Sequence, residues 1–514
     1  MSKTSNKSGE ESFNGFDVPT GLEDYAREGF GVQINGVNVD GDGNPNITEV
    51  EEILTDSEDD ASFIKRYGEI EFQYIRKPRE RVWFIKPHAL NYFKDGVLYR
   101  TKGERSSEKL ELFLDLLYVG IVANLASDAT EHAGGIALLK YIMLFIPAYM
   151  VWSDVKDATN YYYNEDLSQK TYMFWIFCLL TMFANSHYDV TVDRKGAAYT
   201  IVPYIFCRIS LAIFLLFYSF FIPELKFQQR TYATLIFITC CLWIPVIFIS
   251  NRAKIGLGFA IMILENLSFV IPHHPWFKKK LGLKTSTALN IEHEVERYGT
   301  FVTIAIGEFL MKIGSNGSLG VGFSLKFLRG IFLLVIAYIL FWLYNYGSTT
   351  KKAVHALRRS GLTACLYIYG HLPLIASIVL AADAGGDIIA FDNTHIDKRS
   401  QEIVEEQEEP NMFALSFFFT GGLGVALASL CLLGMLDKCL DPPGKFLIPR
   451  FWRVIWRLPV GIGITMLAFA EMSTTLLMGV ISSIMLALLV FESIMATPVD
   501  CLISTKVKSS DSSS

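Results

Sequence analysis

Glu111 and Asp115 are the residues of this 514-residue chain whose spacing says most about chemistry. They stand four apart in Glu111-Leu-Phe-Leu-Asp115-Leu-Leu-Tyr118-Val119, so on a helix both carboxylates share one face. The run stays apolar to about Ala126, which carries the pair into a membrane-length segment. A carboxylate within a bilayer is costly unless it faces a bundle interior, a wet cavity or a partner charge. Acids held that way can exchange protons or pass cations.

Further polar groups lie deep in other apolar runs: Arg208, Glu265, Glu308 and His371. At about 1.5 Å per residue, Arg208, Glu265 and His371 fall near the midplane of their spans. Pro373, just after His371, loosens the local backbone ladder. Lys312 follows Glu308 by one turn, a spacing that predicts an intrahelical ion pair. Each group alone has a structural explanation. Arg208 and Glu265 can neutralise one another, His371 can bond between helices, and Glu111 and Glu492 can sit at the interface. Together they are a heavy energetic load, and a polar track through the bundle accounts for all of them. Asp115, Glu265, Glu308 and His371 suit proton coupling or cation passage along it.

The elements that position them are membrane helices. Hydrophobic residues make up 51% of the chain and the mean hydropathy is +0.32. Apolar runs of 17–23 residues predict about twelve spans, near 110–126, 135–153, 171–188, 198–221, 231–250, 255–271, 295–313, 325–346, 361–382, 411–436, 455–472 and 475–496. The division of the last pair is placed near Glu471. Even-numbered loops carry seventeen Lys and Arg and odd-numbered loops six, counting Lys156 and Arg457 as loop residues. That bias predicts that both termini are cytosolic. The fold class is therefore an all-α integral membrane bundle.

Around this domain (110–496), residues 1–60 are rich in Ser, Gly, Asn and acids and predict a disordered cytosolic tail. Residues 61–109 alternate aromatic and basic groups, as a juxtamembrane segment against anionic headgroups does. Residues 497–514 form a short cytosolic tail. The ninth loop, about 383–410, is acidic, and Asn316-Gly-Ser318 matches a glycosylation acceptor. The eight cysteines show neither metal-ligand spacing nor a disulfide framework. His273-His274 has the form of a metal dipeptide but lacks further ligands nearby, and a loop is expected there. No cofactor motif, His-box ligand set or nucleophile motif points to an enzyme, and nucleic-acid binding has no support. The partners implied are the lipid bilayer and an ion or small solute. Which membrane and which oligomeric state the sequence leaves open.

Three segments in order resemble one family. Glu111-Leu-Phe-Leu-Asp115-Leu-Leu-Tyr-Val119 looks like the E-L-F-F-D-L-V-F-V signature of the bacterial low temperature requirement A family. Glu296-Arg-Tyr-Gly-Thr-Phe-Val-Thr-Ile-Ala-Ile-Gly-Glu308 resembles its second signature, and Tyr367-Ile-Tyr-Gly-His371-Leu-Pro-Leu374 its third. Trp152, Asn160, Tyr161 and Asp166-Leu167 fit its second-to-third-span region. The long polar N-terminal tail and acidic ninth loop look like the fungal members. Bulky Phe309 stands where the family often has Ser, which implies a narrower path. The family is named for a growth phenotype, and the resemblance supplies no reaction or substrate. The first two signatures begin alike and lie six spans apart in the same orientation, which suggests two parallel six-helix repeats.

The candidate path residues are thus Glu111, Asp115, Arg208, Glu265, Glu296, Arg297, Glu308 and His371. The leading expectation is a secondary transporter or ion-translocating protein. An ion channel, or a non-transporting scaffold or sensor linked to cold tolerance, stands as the alternative.

Overall fold

The computed structural model describes residues 72–75, 82–95, 97–101, 109–315, 322–346, 353–390, 411–439, 444–470 and 472–499. The N-terminal tail, the acidic stretch 391–410, the Asn316 acceptor and residues 500–514 lie outside the described residues. Twelve helices dominate the rest: α1 Lys109–Glu131, α2 Gly135–Tyr162, α3 Leu167–Ser186, α4 Arg194–Tyr218, α5 Lys226–Trp243, α6 Asn251–His273, α7 Ile291–Ser315, α8 Leu325–Asn345, α9 Gly361–Ala390, α10 Met412–Leu436, α11 Arg457–Met466 and α12 Thr474–Met495. Short helical turns at Arg450–Val454 and Leu467–Phe469 extend α11 at both ends.

Ten helices among the described residues are long and apolar enough to cross a membrane. The two that fall outside that set are α3 and α7, although both are at least 20 residues long. Helix α7 carries Glu292, Glu294, Glu296, Arg297, Glu308 and Lys312, and most of this charge turns inward. Local sequence sets the ends. Asp166 caps α3 by accepting from the Gln169 amide at 2.9 Å, and Ser473 caps α12 through Leu476, which separates the last two helices.

Several boundaries differ from the hydropathy reading. Helix α2 runs nine residues past 153, to Tyr162, so Lys156 is not a loop charge; it is fully buried. Helix α9 continues to Ala390 through Ala-Ala-Asp-Ala-Gly-Gly-Asp, whose small residues pack closely and whose Asp383 finds a cation. Arg457, also counted as a loop charge, opens α11 and is buried against Glu492. In each case a polar side chain that lowers the window average is satisfied by a partner inside the protein.

Strands add a small feature to an otherwise helical chain. β1 Phe72–Ile75, β2 Asn91–Lys94, β3 Val97–Thr101 and β4 Thr285–Thr287 form a sheet in the order β1-β3-β2-β4. β1 runs parallel to β3; the β2–β3 and β2–β4 pairs are antiparallel. Asp95, at φ 51°, turns β2 into β3. The Leu90 amide bonds the Tyr161 carbonyl at the close of α2, so the sheet marks one end of the bundle.

The first six helices and the last six repeat one set of neighbours. α1 touches α2 and α3 as α7 touches α8 and α9; α3–α4 and α4–α5 recur as α9–α10 and α10–α11; α2–α6 recurs as α8–α12. Helices α10 and α11 approach closely, where a Cβ on Gly424 would lie 2.8 Å from the Gly461 carbonyl oxygen.

Candidate functional site

Helices α1, α2 and α7 bring their polar residues together in the interior. On α1, Glu111 and Asp115 lie on one face, and both are fully buried. On α2, Trp152, Lys156 and Asn160 recur every fourth residue, so all three face the same groove. On α7, His293, Glu294 and Arg297 complete the set. Arg297 grips Asp115 through two bonds, Nη1 to Oδ2 at 2.7 Å and Nη2 to Oδ1 at 2.8 Å. The Trp152 indole N–H donates to the same carboxylate at 2.7 Å. This is a planar, bidentate pair with a third donor, the strong form of a buried ion pair.

One turn toward the sheet, His293 Nε2 lies 3.0 Å from Glu111 Oε2. Asn160 is oriented by the Asn290 amide, which donates to its Oδ1 at 2.9 Å, so its Nδ2 faces His293 Nδ1 at 3.2 Å. Lys156 bonds Asp157 at 2.8 Å and pairs with Glu294, and its ammonium lies 4.8 Å from the Tyr298 ring centroid. One buried ammonium therefore serves two carboxylates.

A second group sits on the other side of α2. Arg208 of α4 pairs with Asp154 of α2, and its Nε lies 3.7 Å from Glu265 of α6. Tyr232 donates to Asp154 at 3.2 Å; Tyr204 and Trp243 donate to Glu265 at 2.7 and 3.1 Å. The Nε and Nη2 groups of Arg208 have no hydrogen-bond partner. Again one cation stands between two carboxylates.

A third group lies at the end of the bundle away from the sheet. The expected Glu308–Lys312 pair is not formed. Lys312 reaches Asp383 of α9 instead, and Thr130 of α1 donates to that carboxylate at 2.5 Å. Gly386, one turn along α9, leaves room for the lysine stem; a Cβ there would lie 2.8 Å from Lys312 Cβ. Glu308 is buried beside them with its Oε1 unpartnered.

His371 is fully buried in a box of tyrosines. Its Nδ1 is 2.7 Å from the Tyr367 carbonyl, which fixes the proton there and leaves Nε2 to accept from the Tyr344 hydroxyl at 3.1 Å. The ring stacks on Tyr298 at 4.2 Å between centroids. Trp152, Tyr298 and Phe301 pack between the α1–α2–α7 group and this histidine.

Two large cavities flank these groups. One, of about 640 Å³, is lined by His371, Tyr367, Thr300, Asp437 and Glu296. The other, of about 580 Å³, opens near Asp128, Lys140 and Lys254 and reaches down to Tyr204 and Trp243, the two residues that hold Glu265.

Of the residues expected from sequence, Glu111, Asp115 and Arg297 come together, and Arg208 and Glu265 come together. Glu308 and His371 belong to separate surroundings, and Glu296 is exposed at the rim of the larger cavity. Sequence reasoning passed over Asp154, Lys156, Asp157, His293, Glu294 and Asp383. The Trp152–Lys156–Asn160 spacing was the signal that could have placed α2 in the site. His273 is helical rather than in a loop; it stacks on Phe269 at 4.7 Å, and His274 caps the next turn.

No curated protein and no solved structure matches the chain. A family model described as bacterial low temperature requirement A protein matches residues 106–496, which include every helix and all of the groups above. With the three signature segments folded around one interior, the chain belongs to the low temperature requirement A family of multi-pass membrane proteins.

Proposed function

We propose that this chain is a secondary transporter or ion-translocating protein with a polar, proton- or cation-coupled route through its interior. One observation carries the reading: Lys156 is shared by Asp157 and Glu294, and Arg208 by Asp154 and Glu265. Four buried carboxylates answer to two buried cations. Negative charge of that kind is expensive inside a bilayer unless protons or cations accompany it. A site that must take up and release positive charge is what an ion-coupled carrier requires.

The two cavities support a carrier. Each approaches the charged groups from its own side, and the packed rings of Trp152, Tyr298 and Phe301 stand between the α1–α2–α7 group and His371. Separate access from two directions fits alternating exposure of a central site better than a continuous pore. The bidentate Asp115–Arg297 pair has the geometry of a fixed brace, and we assign it to joining the halves. We place the sheet end and both termini in the cytosol, because Lys278, Lys279, Lys280 and Lys284 lie there. The polar N-terminal tail and the acidic stretch before α10 support a fungal-type member.

The test is flux into proteoliposomes with and without a pH or cation gradient. A carrier gives saturable uptake that the gradient drives and that Glu265→Gln reduces at least tenfold. Unitary currents would point to a channel. Full complementation of a deletion strain by Asp115→Asn and Glu308→Gln variants, with no flux of any ion or metabolite, would leave a scaffold or sensor.

A further inference from the structure

Below the Arg208 group, toward the sheet, lies a small cavity of about 30 Å³. It is walled by α2, α4, α5, α6 and β4, and no Lys or Arg lines it among the described residues. Two carboxylates do, Asp154 and Asp157. Both oxygens of Asp154 are engaged, by Arg208 and by Tyr232. Asp157 commits only Oδ1, to Lys156, and its side chain stays 12% exposed. Because Lys156 also pairs with Glu294, the carboxylate of Asp157 is only partly compensated.

Gln229 of α5 supplies the second, independent observation. Its residue is 2% exposed and lines the same cavity; the Nε2 side of its amide faces the Tyr162 hydroxyl, and its Oε1 has no hydrogen-bond partner. Its neighbour Gln228 is satisfied twice by Thr287, at 3.0 and 3.2 Å, so the orphan oxygen is not a general property of this wall. A buried amide oxygen without a partner is unfavourable by roughly 1–3 kcal/mol, so an occupant is expected. The space suits one small species, since a water needs roughly 10–15 Å³ on this measure.

We propose that this cavity binds a single monovalent cation of sodium size, held by the free oxygen of Asp157 and by Gln229 Oε1. The proposal deepens the transporter reading by naming the coupling ion. Charge decides between occupants: one partly compensated carboxylate matches one positive charge, whereas a divalent ion would need more acid. Hard oxygen donors in a small, partly open space suit an alkali cation that keeps part of its water shell. Through Asp157, the bound ion would loosen Lys156 from that side and commit it to Glu294. The cavity is thereby linked to the α1–α2–α7 group.

The experiment is equilibrium binding of radiolabelled sodium to the purified full chain in detergent, with choline chloride holding ionic strength constant. Saturable binding is expected, weakened at least tenfold by Asp157→Asn and by Gln229→Leu, and unchanged by Asp437→Asn in the larger cavity. Where Asp157→Asn fails to fold, the uncharged Gln229→Leu change carries the test. Absence of saturable sodium binding to the unmodified protein means an ordered water only and overturns the proposal, as does binding that neither variant weakens. No gradient is involved, so flux failing while sodium binds sinks the transporter reading alone.

Discussion

Asp115 and Arg297 meet in the same register as Glu111 and His293, four residues earlier on each helix. Equal steps on both helices mean that α1 and α7 run parallel, side by side, with their acidic and basic faces matched. The opening helices of the two halves are thus joined by their most polar stripes. In lipid, where apolar surface gives no preference for one neighbour over another, such pairs set which faces meet.

Breaking that match from one side should be costly. Asp115→Asn or Arg297→Gln alone is expected to remove about 3–5 kcal/mol, because each leaves a buried partner uncompensated. The double variant should recover much of the loss. Thermal unfolding of all four proteins in one detergent checks this, and additive losses would show that the two residues act independently.

Trp152 makes a finer test of the same carboxylate. Trp152→Phe keeps most of the ring packing against Phe301 but deletes the indole donor to Asp115. The expected loss is about 1–3 kcal/mol, the usual result of orphaning a buried acceptor. No change in unfolding midpoint would mean that Arg297 satisfies the acid unaided.

Gly424 tests the packing of α10 on α11. Its missing Cβ would lie 2.1 Å from Thr465 Oγ1 as well as 2.8 Å from the Gly461 oxygen, the latter a backbone atom that cannot rotate aside. Gly424→Val should therefore push the helices apart, at roughly 1–3 kcal/mol or more. Lower folded yield on size-exclusion chromatography is the readout, with Gly463→Ala, which meets nothing within 4 Å, as the control.

His187 gives a pH dependence. It lies in the turn after α3, and burial lowers its pKa, opposed by the Ala184 carbonyl and Asp128 and aided by Lys140. Its Nε2 is buried without a hydrogen-bond partner, 4.0 Å from Asp128 Oδ2. A native pKa below the unfolded one means the unfolded chain takes the proton first. Stability should then be full above about pH 6.5 and fall as the solution is acidified toward the lowered value, by no more than about 1.4 kcal/mol per pH unit. His187→Gln should flatten that slope between pH 5 and 7, as unfolding at stepped pH would show.

Much of this architecture could be read from residue patterns. Apolar length located the helices, and four-residue spacing put Glu111 and Asp115 on one face. What hydropathy missed was polar residues that extend helices because distant partners neutralise them. Lys156 and Arg457 looked like loop cations, and Asp383 like the start of a loop, until Glu294, Glu492 and Lys312 were found opposite. Those partners are 138, 35 and 71 residues away. A window along the chain cannot register them. Lys312 leaving Glu308 for Asp383 has the same origin, since a tertiary partner outweighs a helical neighbour in a low-dielectric interior. The β2–β3 hairpin is different: Asp95-Gly96 between Tyr92-Phe93 and Val97-Leu98 was a legible turn signal.

Helix α2 carries polar groups on two sides, Lys156 and Asn160 toward α7 and Asp154 toward α4, with Asp157 between them. It is the helix common to both charged groups. A substitution on one flank of α2 is therefore expected to be felt on the other through their common backbone.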